Sequence, residues 1–145
     1  MKKFAFALLV CFAATLVQAA DGEWLTDFAK AEAKARAENK LLFVEFTGSD
    51  WCPPCKALHK NVLATGEFMS FARRNLVLLE VDFPRRKPQS AALKAANKAL
   101  NRKFNVEGYP TVIVLSPEGK ELKKSVGYSG QDAKTYIAQL AKLRK

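Results

Sequence analysis

The sequence predicts an α/β fold: a mixed four-stranded sheet with helices on both faces and one added helix at its N-terminal side. Three observations carry this. Leu41–Thr47, residues 76–81 and Thr111–Leu115 are short, nearly continuous apolar runs, as in strands buried on both faces. Segments of helical periodicity separate them, which implies parallel pairing in the first half. Pro117-Glu118-Gly119-Lys120 is a turn between Thr111–Leu115 and Glu121–Val126, so that pair closes as an antiparallel hairpin.

The chain has 145 residues, a length that suits one domain. Lys2 and Lys3 precede an almost wholly apolar stretch, residues 4–17, and Val17-Gln18-Ala19 puts light residues where a signal peptidase reads. That is the three-part layout of a secretory signal. The apolar run, roughly 14 residues, falls short of the ~20 a bilayer span needs. A signal peptide at residues 1–19 and a folded domain at 20–145 are expected, with a retained N-terminal anchor or a lipid anchor at Cys11 as the alternatives.

Trp24, Leu25, Phe28, Ala31 and Ala35 recur at helical spacing, which predicts a helix over residues 23–39 with Asn39 as its stop. After the strand Leu41–Thr47, Gly48-Ser49-Asp50 makes a loop, a helix spans residues 52–63 and a second helical piece covers 67–74. The apolar run 76–81 is broken only by Glu80. Residues 84–88 form a basic loop. Ser90 caps a helix in which Leu93, Ala96, Leu100 and Phe104 share a face. The last helix, over residues 131–143, presents Tyr136, Ile137, Leu140 and Leu143. No repeat, low-complexity tract or second domain is evident.

The formal net charge is +10, spread along the helical stretches rather than gathered in one arm. Export argues against nucleic acid as the partner. The charge then reads as a solvated basic surface or a dock for an acidic partner. Arg85, Arg86 and Lys87 are the densest cluster: a solvated loop, or a contact for anionic lipid or an acidic partner.

Three cysteines are present, and Cys11 would leave with the signal. Cys52 and Cys55 close only a tiny loop, whereas structural bridges stabilise most when the loop is long. The pair therefore reads as redox chemistry, with a structural bridge as the alternative. Two intervening residues let both sulfurs meet within one helical turn. Cys52 falls at the N-cap and Pro53 at the first helical position, where a missing N–H costs little. Partial positive charge at a helix start favours thiolate, the reactive form. Glu45 is the only charge in its apolar strand, so burial should raise its pKa, unless the strand bends and solvates it. His59, the only histidine, follows Cys55 by one helical turn. It reads as a surface residue, since a structural zinc would want four ligands and no fourth is evident.

The segment Trp51-Cys52-Pro53-Pro54-Cys55-Lys56 resembles the active site of the thioredoxin superfamily. Residues 106–111, Val-Glu-Gly-Tyr-Pro-Thr, resemble the loop that presents a cis-proline beside it, and Val126-Gly127-Tyr128 resembles the third wall of the substrate groove. The likeness covers nearly all of residues 41–143. Residues 46–52 and 81–84 look most like exported Dsb-type proteins related to DsbH. The resemblance implies a thioredoxin-like fold, Cys52 as nucleophile, Cys55 as resolving thiol and Glu45 as the buried acid that relays the Cys55 proton. It also implies substrate contacts at Trp51, Tyr109, a cis Pro110, Gly127 and Tyr128. Plain packing is the alternative for Trp51, Tyr109 and Tyr128, and a trans bond for Pro110. No metal and no organic cofactor is implied. The expected protein is a periplasmic or otherwise exported monomer that reduces or isomerises disulfides of exported proteins and is recharged by a membrane thiol reductase. A disulfide-donating oxidant and a copper chaperone using Cys52 and Cys55 are the rivals. The sequence departs from the pattern in several places. One extra residue stands between Glu45 and Trp51, Glu replaces Asp, and Leu78 stands where a lysine pairs with the buried acid. Pro53 replaces a glycine, and residues 82–110 are longer by about a helix.

Overall fold

A computed structural model describes residues 23–144. The signal-peptide expectation for residues 1–19 lies outside them. The order is β1 (Trp24–Leu25), α1 (Phe28–Glu38), β2 (Leu41–Thr47), α2 (Pro53–Leu58), α3 (Gly66–Asn75), β3 (Leu76–Asp82), α4 (Ala91–Lys103), β4 (Thr111–Leu115), β5 (Glu121–Val126) and α5 (Ala133–Ala141). A π-helical turn, His59–Leu63, extends α2, and a 3₁₀ turn, Lys142–Arg144, ends α5.

The sheet has five strands, not four, in the order β1-β3-β2-β4-β5. The extra strand comes from the segment expected to begin the first helix. Asp27 accepts a hydrogen bond from the Lys30 N–H and caps α1, so the chain before it is extended. Trp24 and Leu25 pair in parallel with Leu78 and Leu79, and the Trp24 ring meets Phe43 edge-on. Asn39 ends α1 in the left-handed region, at φ 51°, as its short polar side chain allows. β2 runs parallel to β3 and antiparallel to β4, and β4–β5 is the hairpin.

Alternation along the strands divides the interior. Leu41, Phe43, Leu76, Leu78, Val112 and Val114 face α2, α3 and α5; Leu42, Val44, Phe46, Val77, Leu79, Val81, Ile113 and Leu115 face α1 and α4. Phe43 is fully buried against Phe68 and Tyr136, and its truncation to Ala would cost about 3–5 kcal/mol. In α4 the expected apolar face is shifted. Asn97 and Leu100 are the buried positions, Leu93 and Phe104 are half-buried, and Ala96 is exposed. Asn97 is drawn inward because its amide donates to the Asp82 carbonyl at the end of β3.

The same alternation places polar side chains where the two parallel strands end. Glu45 and Thr47 of β2 stand opposite Glu80 and Asp82 of β3, on the face that α2 covers. The floor of the sheet is thus apolar at its start and acidic beneath the N-terminus of α2.

Candidate active site

Cys52 is the N-cap residue of α2, and Pro53 and Pro54 occupy its first turn. Cys52 and Cys55 are joined by a disulfide, with Cα atoms 5.3 Å apart. Position in the helix separates the two sulfurs, but exposure does not. Both residues are 2% exposed, although Cys52, at the helix start, would be the more open on position alone.

Trp51 is half-buried and held on three sides. Its Nε1 donates to the Phe83 carbonyl at 2.8 Å, its ring meets Tyr109 edge-on, and the Arg85 guanidinium lies 3.9 Å from its ring centroid. Gly48 makes room for it: a Cβ there would collide with the indole at Trp51 Cε2. The Tyr109–Pro110 bond is cis, and the Pro110 carbonyl accepts the Gly127 N–H at 2.7 Å, tying two candidate groove walls together. Gly127 has φ +80°, a conformation that favours glycine. The Tyr109 ring packs on Phe83, and its hydroxyl donates to Asn101 Oδ1. Tyr128 packs against the α5-side core and donates to the Gln131 carbonyl. Both rings are engaged in packing and hydrogen bonding within the fold.

Glu45 is 2% exposed and lines a cavity of about 270 Å³ together with Cys55, Lys56, His59, Glu80 and Lys87. Burial, then the nearby Glu80 and Asp82, push its pKa up to about 8. Glu80 is raised too, first by burial and then by Asp82, with Lys87 opposing. Glu80 is the acid that sequence reasoning did not assign to the site. Its signal was present, since it alone interrupts the apolar run of β3. Leu78 is buried opposite Phe43 and offers Glu45 no basic partner, while the cross-strand neighbour of Glu45 is a second acid, Glu80. His59 is exposed at the cavity rim.

Asp50 was also missed. It is 8% exposed, and its carboxylate accepts the backbone N–H groups of Arg85, Arg86 and Lys87. Those bonds, led by that from Arg85 and supported by the charge of Arg86, bring its pKa down to about 2. Ser49 adds two bonds to Asp82, and Lys87 Nζ donates to Ser49 Oγ. The basic loop is therefore clamped to the residues just before the disulfide.

Comparison with known proteins bears on this geometry. Residues 28–144 match the family model of the thioredoxin-like domain. The disulfide bond reductase DsbH of Chlamydia pneumoniae is 30% identical over 124 residues, which is 86% of this chain and 74% of that protein. The thioredoxin-related protein DsbJ of the same organism is 33% identical over 109 residues, 75% of this chain but 31% of its own length. A solved DsbH oxidoreductase superposes with a TM-score of 0.78 at 28% identity, covering 87% of this chain and 86% of that one. A thioredoxin from Thermus thermophilus, at 19% identity and a TM-score of 0.62 over 85% and 87% of the two chains, shares the fold.

Proposed function

We propose that this chain, which belongs to the thioredoxin-like domain family and is a Dsb-type thiol-disulfide oxidoreductase, acts as a reductase of disulfides in exported proteins. The observation that carries the reading is the Cys52–Cys55 disulfide at the start of α2, backed by Glu45 in a cavity that reaches Cys55. The name of the DsbH relative, a disulfide bond reductase, supports the direction.

In the reduced protein, the Cys52 thiolate attacks a substrate S–S bond. A mixed disulfide forms and one substrate thiolate leaves. In molecules where Glu45 is ionised, the minor fraction at neutral pH, Cys55 passes its proton to that carboxylate, and its thiolate attacks Cys52 Sγ. The mixed disulfide breaks, the second substrate thiolate leaves, and the Cys52–Cys55 bond forms, so two electrons have passed to substrate. A carboxyl with pKa about 8 holds that proton at neutral pH in the oxidised form. It returns the proton to Cys55 when a donor dithiol, for which a membrane thiol reductase is the proposed source, reopens the disulfide. Trp51, the backbones of Tyr109 and Gly127, Pro110 and Tyr128 form the groove in this reading. No helix of the described residues is long and apolar enough to cross a membrane. Residues 1–19 would direct export.

The reduction potential tests the direction. Pro53 and Pro54 add no charge and remove two backbone donors that would stabilise a thiolate, which keeps the Cys52 pKa from falling far. The potential is then expected within roughly 60 mV of the ~ −270 mV of thioredoxin, well below the ~ −120 mV of a strong oxidant. Equilibration with glutathione buffers reads it. A protein that stays reduced in a buffer poised near the oxidising value would make the chain a disulfide donor instead.

A further inference from the structure

We propose that Arg85 sets the substrate preference of the Cys52–Cys55 site, favouring disulfides whose cysteines are flanked by acidic residues; this rests on the oxidoreductase reading and names the substrate class of that site. The argument starts from how the three cations of the loop are used. Arg86 turns back and donates to the Asp50 carbonyl. Lys87 Nζ donates to Ser49 Oγ, itself bonded to the Asp82 carboxylate. The Arg85 guanidinium goes elsewhere: it lies 3.9 Å from the centroid of Trp51, the residue that precedes Cys52, and among the described residues it forms no ion pair.

Two features hold that charge in place. The Arg85 N–H is bonded to the Asp50 carboxylate at 3.0 Å, which fixes the root of the side chain. The indole beneath it is fixed by Phe83 and Tyr109, so the planar guanidinium rests on a rigid face. The nearest carboxylate, Asp50, is occupied by the backbone N–H groups of residues 85–87 rather than by the guanidinium, and burial raises the pKa of Glu45 and Glu80 beneath the site. A substrate laid across Trp51 therefore meets one pre-positioned cation beside the sulfur under attack. A rim charge of this kind acts on the encounter rate and is screened by salt.

The test uses two peptides that share one intramolecular disulfide and differ only in carrying Asp or Lys beside each cysteine. Single-turnover reduction by the reduced protein is measured, each rate being divided by that with dithiothreitol to remove intrinsic reactivity. The Asp peptide is expected to react roughly 5- to 10-fold faster at low ionic strength, with the ratio approaching one in 0.5 M salt. Arg85→Gln should bring the ratio near one at low salt, and Arg85→Glu should invert it. Both variants keep the backbone N–H that binds Asp50. The ratio also cancels any effect of Arg85 on Cys52 itself. Lys30→Gln, which removes an exposed cation from α1, should leave the ratio intact. Equal normalised rates for the two peptides with the unaltered protein would overturn the preference, as would a preference that survives in Arg85→Glu. Binding to anionic phosphatidylglycerol vesicles that Arg85→Gln abolishes, with no peptide preference, would make the residue a lipid contact and overturn it too. Failure to reduce either peptide would strike the oxidoreductase reading itself.

Discussion

Glu45 stands directly opposite Glu80 across the parallel β2–β3 ladder, so two carboxyl groups share the face that carries the disulfide. Like charges opposed in this way disfavour ionisation of both. Burial leads and Glu80 adds to it in holding Glu45 near a pKa of about 8. Its folded value is thus raised above that of the unfolded chain. Relative to a neutral side chain, Glu45 costs nothing below about pH 4.5, and the cost grows as pH rises towards 8. Glu45→Gln should therefore match the parent in stability at pH 4 and exceed it by roughly 4 kcal/mol at pH 8.5. Urea unfolding at the two pH values measures this. A large loss of stability in the variant at pH 8.5 would mark an ion pair instead.

Glu80→Gln removes one charge that opposes Glu45. The Glu45 titration, followed by carbon NMR of its carboxyl, should move down by about one pH unit. The pH dependence of turnover should move with it if Glu45 handles the Cys55 proton. A shifted carboxyl with an unshifted rate profile would separate the acid pair from the chemistry.

Cys52 is proposed as the attacking sulfur on its helix position alone, since burial does not distinguish the two cysteines. Cys55→Ser should accumulate mixed disulfides with substrate at Cys52, and Cys52→Ser should accumulate none. Non-reducing gels with mass spectrometry read the outcome. Trapping that needs Cys55 would reverse the roles.

Asp50 gathers three consecutive N–H groups of the basic loop, which holds its pKa down to about 2. Its folded value lies below the unfolded one, so its stabilising effect is present above the ordinary carboxylate range and is lost as pH falls from about 4 through 2. Asp50→Asn replaces an acceptor with an amide that meets N–H donors head-on. We expect Tm to fall by about 5 °C at pH 7, and the fall in Tm between pH 4 and 2 to flatten. Amide exchange at residues 85–87 should quicken in step. Unchanged exchange there would show that the carboxylate does not hold the loop.

Gly48 is small because Trp51 lies on it. Gly48→Ala should drive the indole off its bond to Phe83 and off Arg85, costing about 1–3 kcal/mol. Near-UV circular dichroism from the Trp51–Tyr109 pair should weaken. An unaltered spectrum and stability would mean the loop absorbs the methyl group by moving as a unit.

The strands β2, β3 and β4, the hairpin, the stop at Asn39 and the cap at Ser90 were legible in the sequence, because alternation, apolar runs and capping residues are local signals. So were the cysteine pair and the buried charge of Glu45, each conspicuous against its own neighbours. The fifth strand was not: Trp24 and Leu25 lie at helical spacing with Phe28 and Ala31, and it is the cap at Asp27 together with pairing to the edge of β3 that makes them extended. The tertiary structure also decided what surrounds the disulfide. Glu80 meets Glu45 through strand register, and Arg85 meets Asp50 across 35 residues of chain. Periodicity tells which face of an element a residue occupies, but pairing of distant segments depends on the packing free energy of the whole fold. For that reason the reactive pair was readable from the chain, while the charges arranged around it emerged only once the chain was folded.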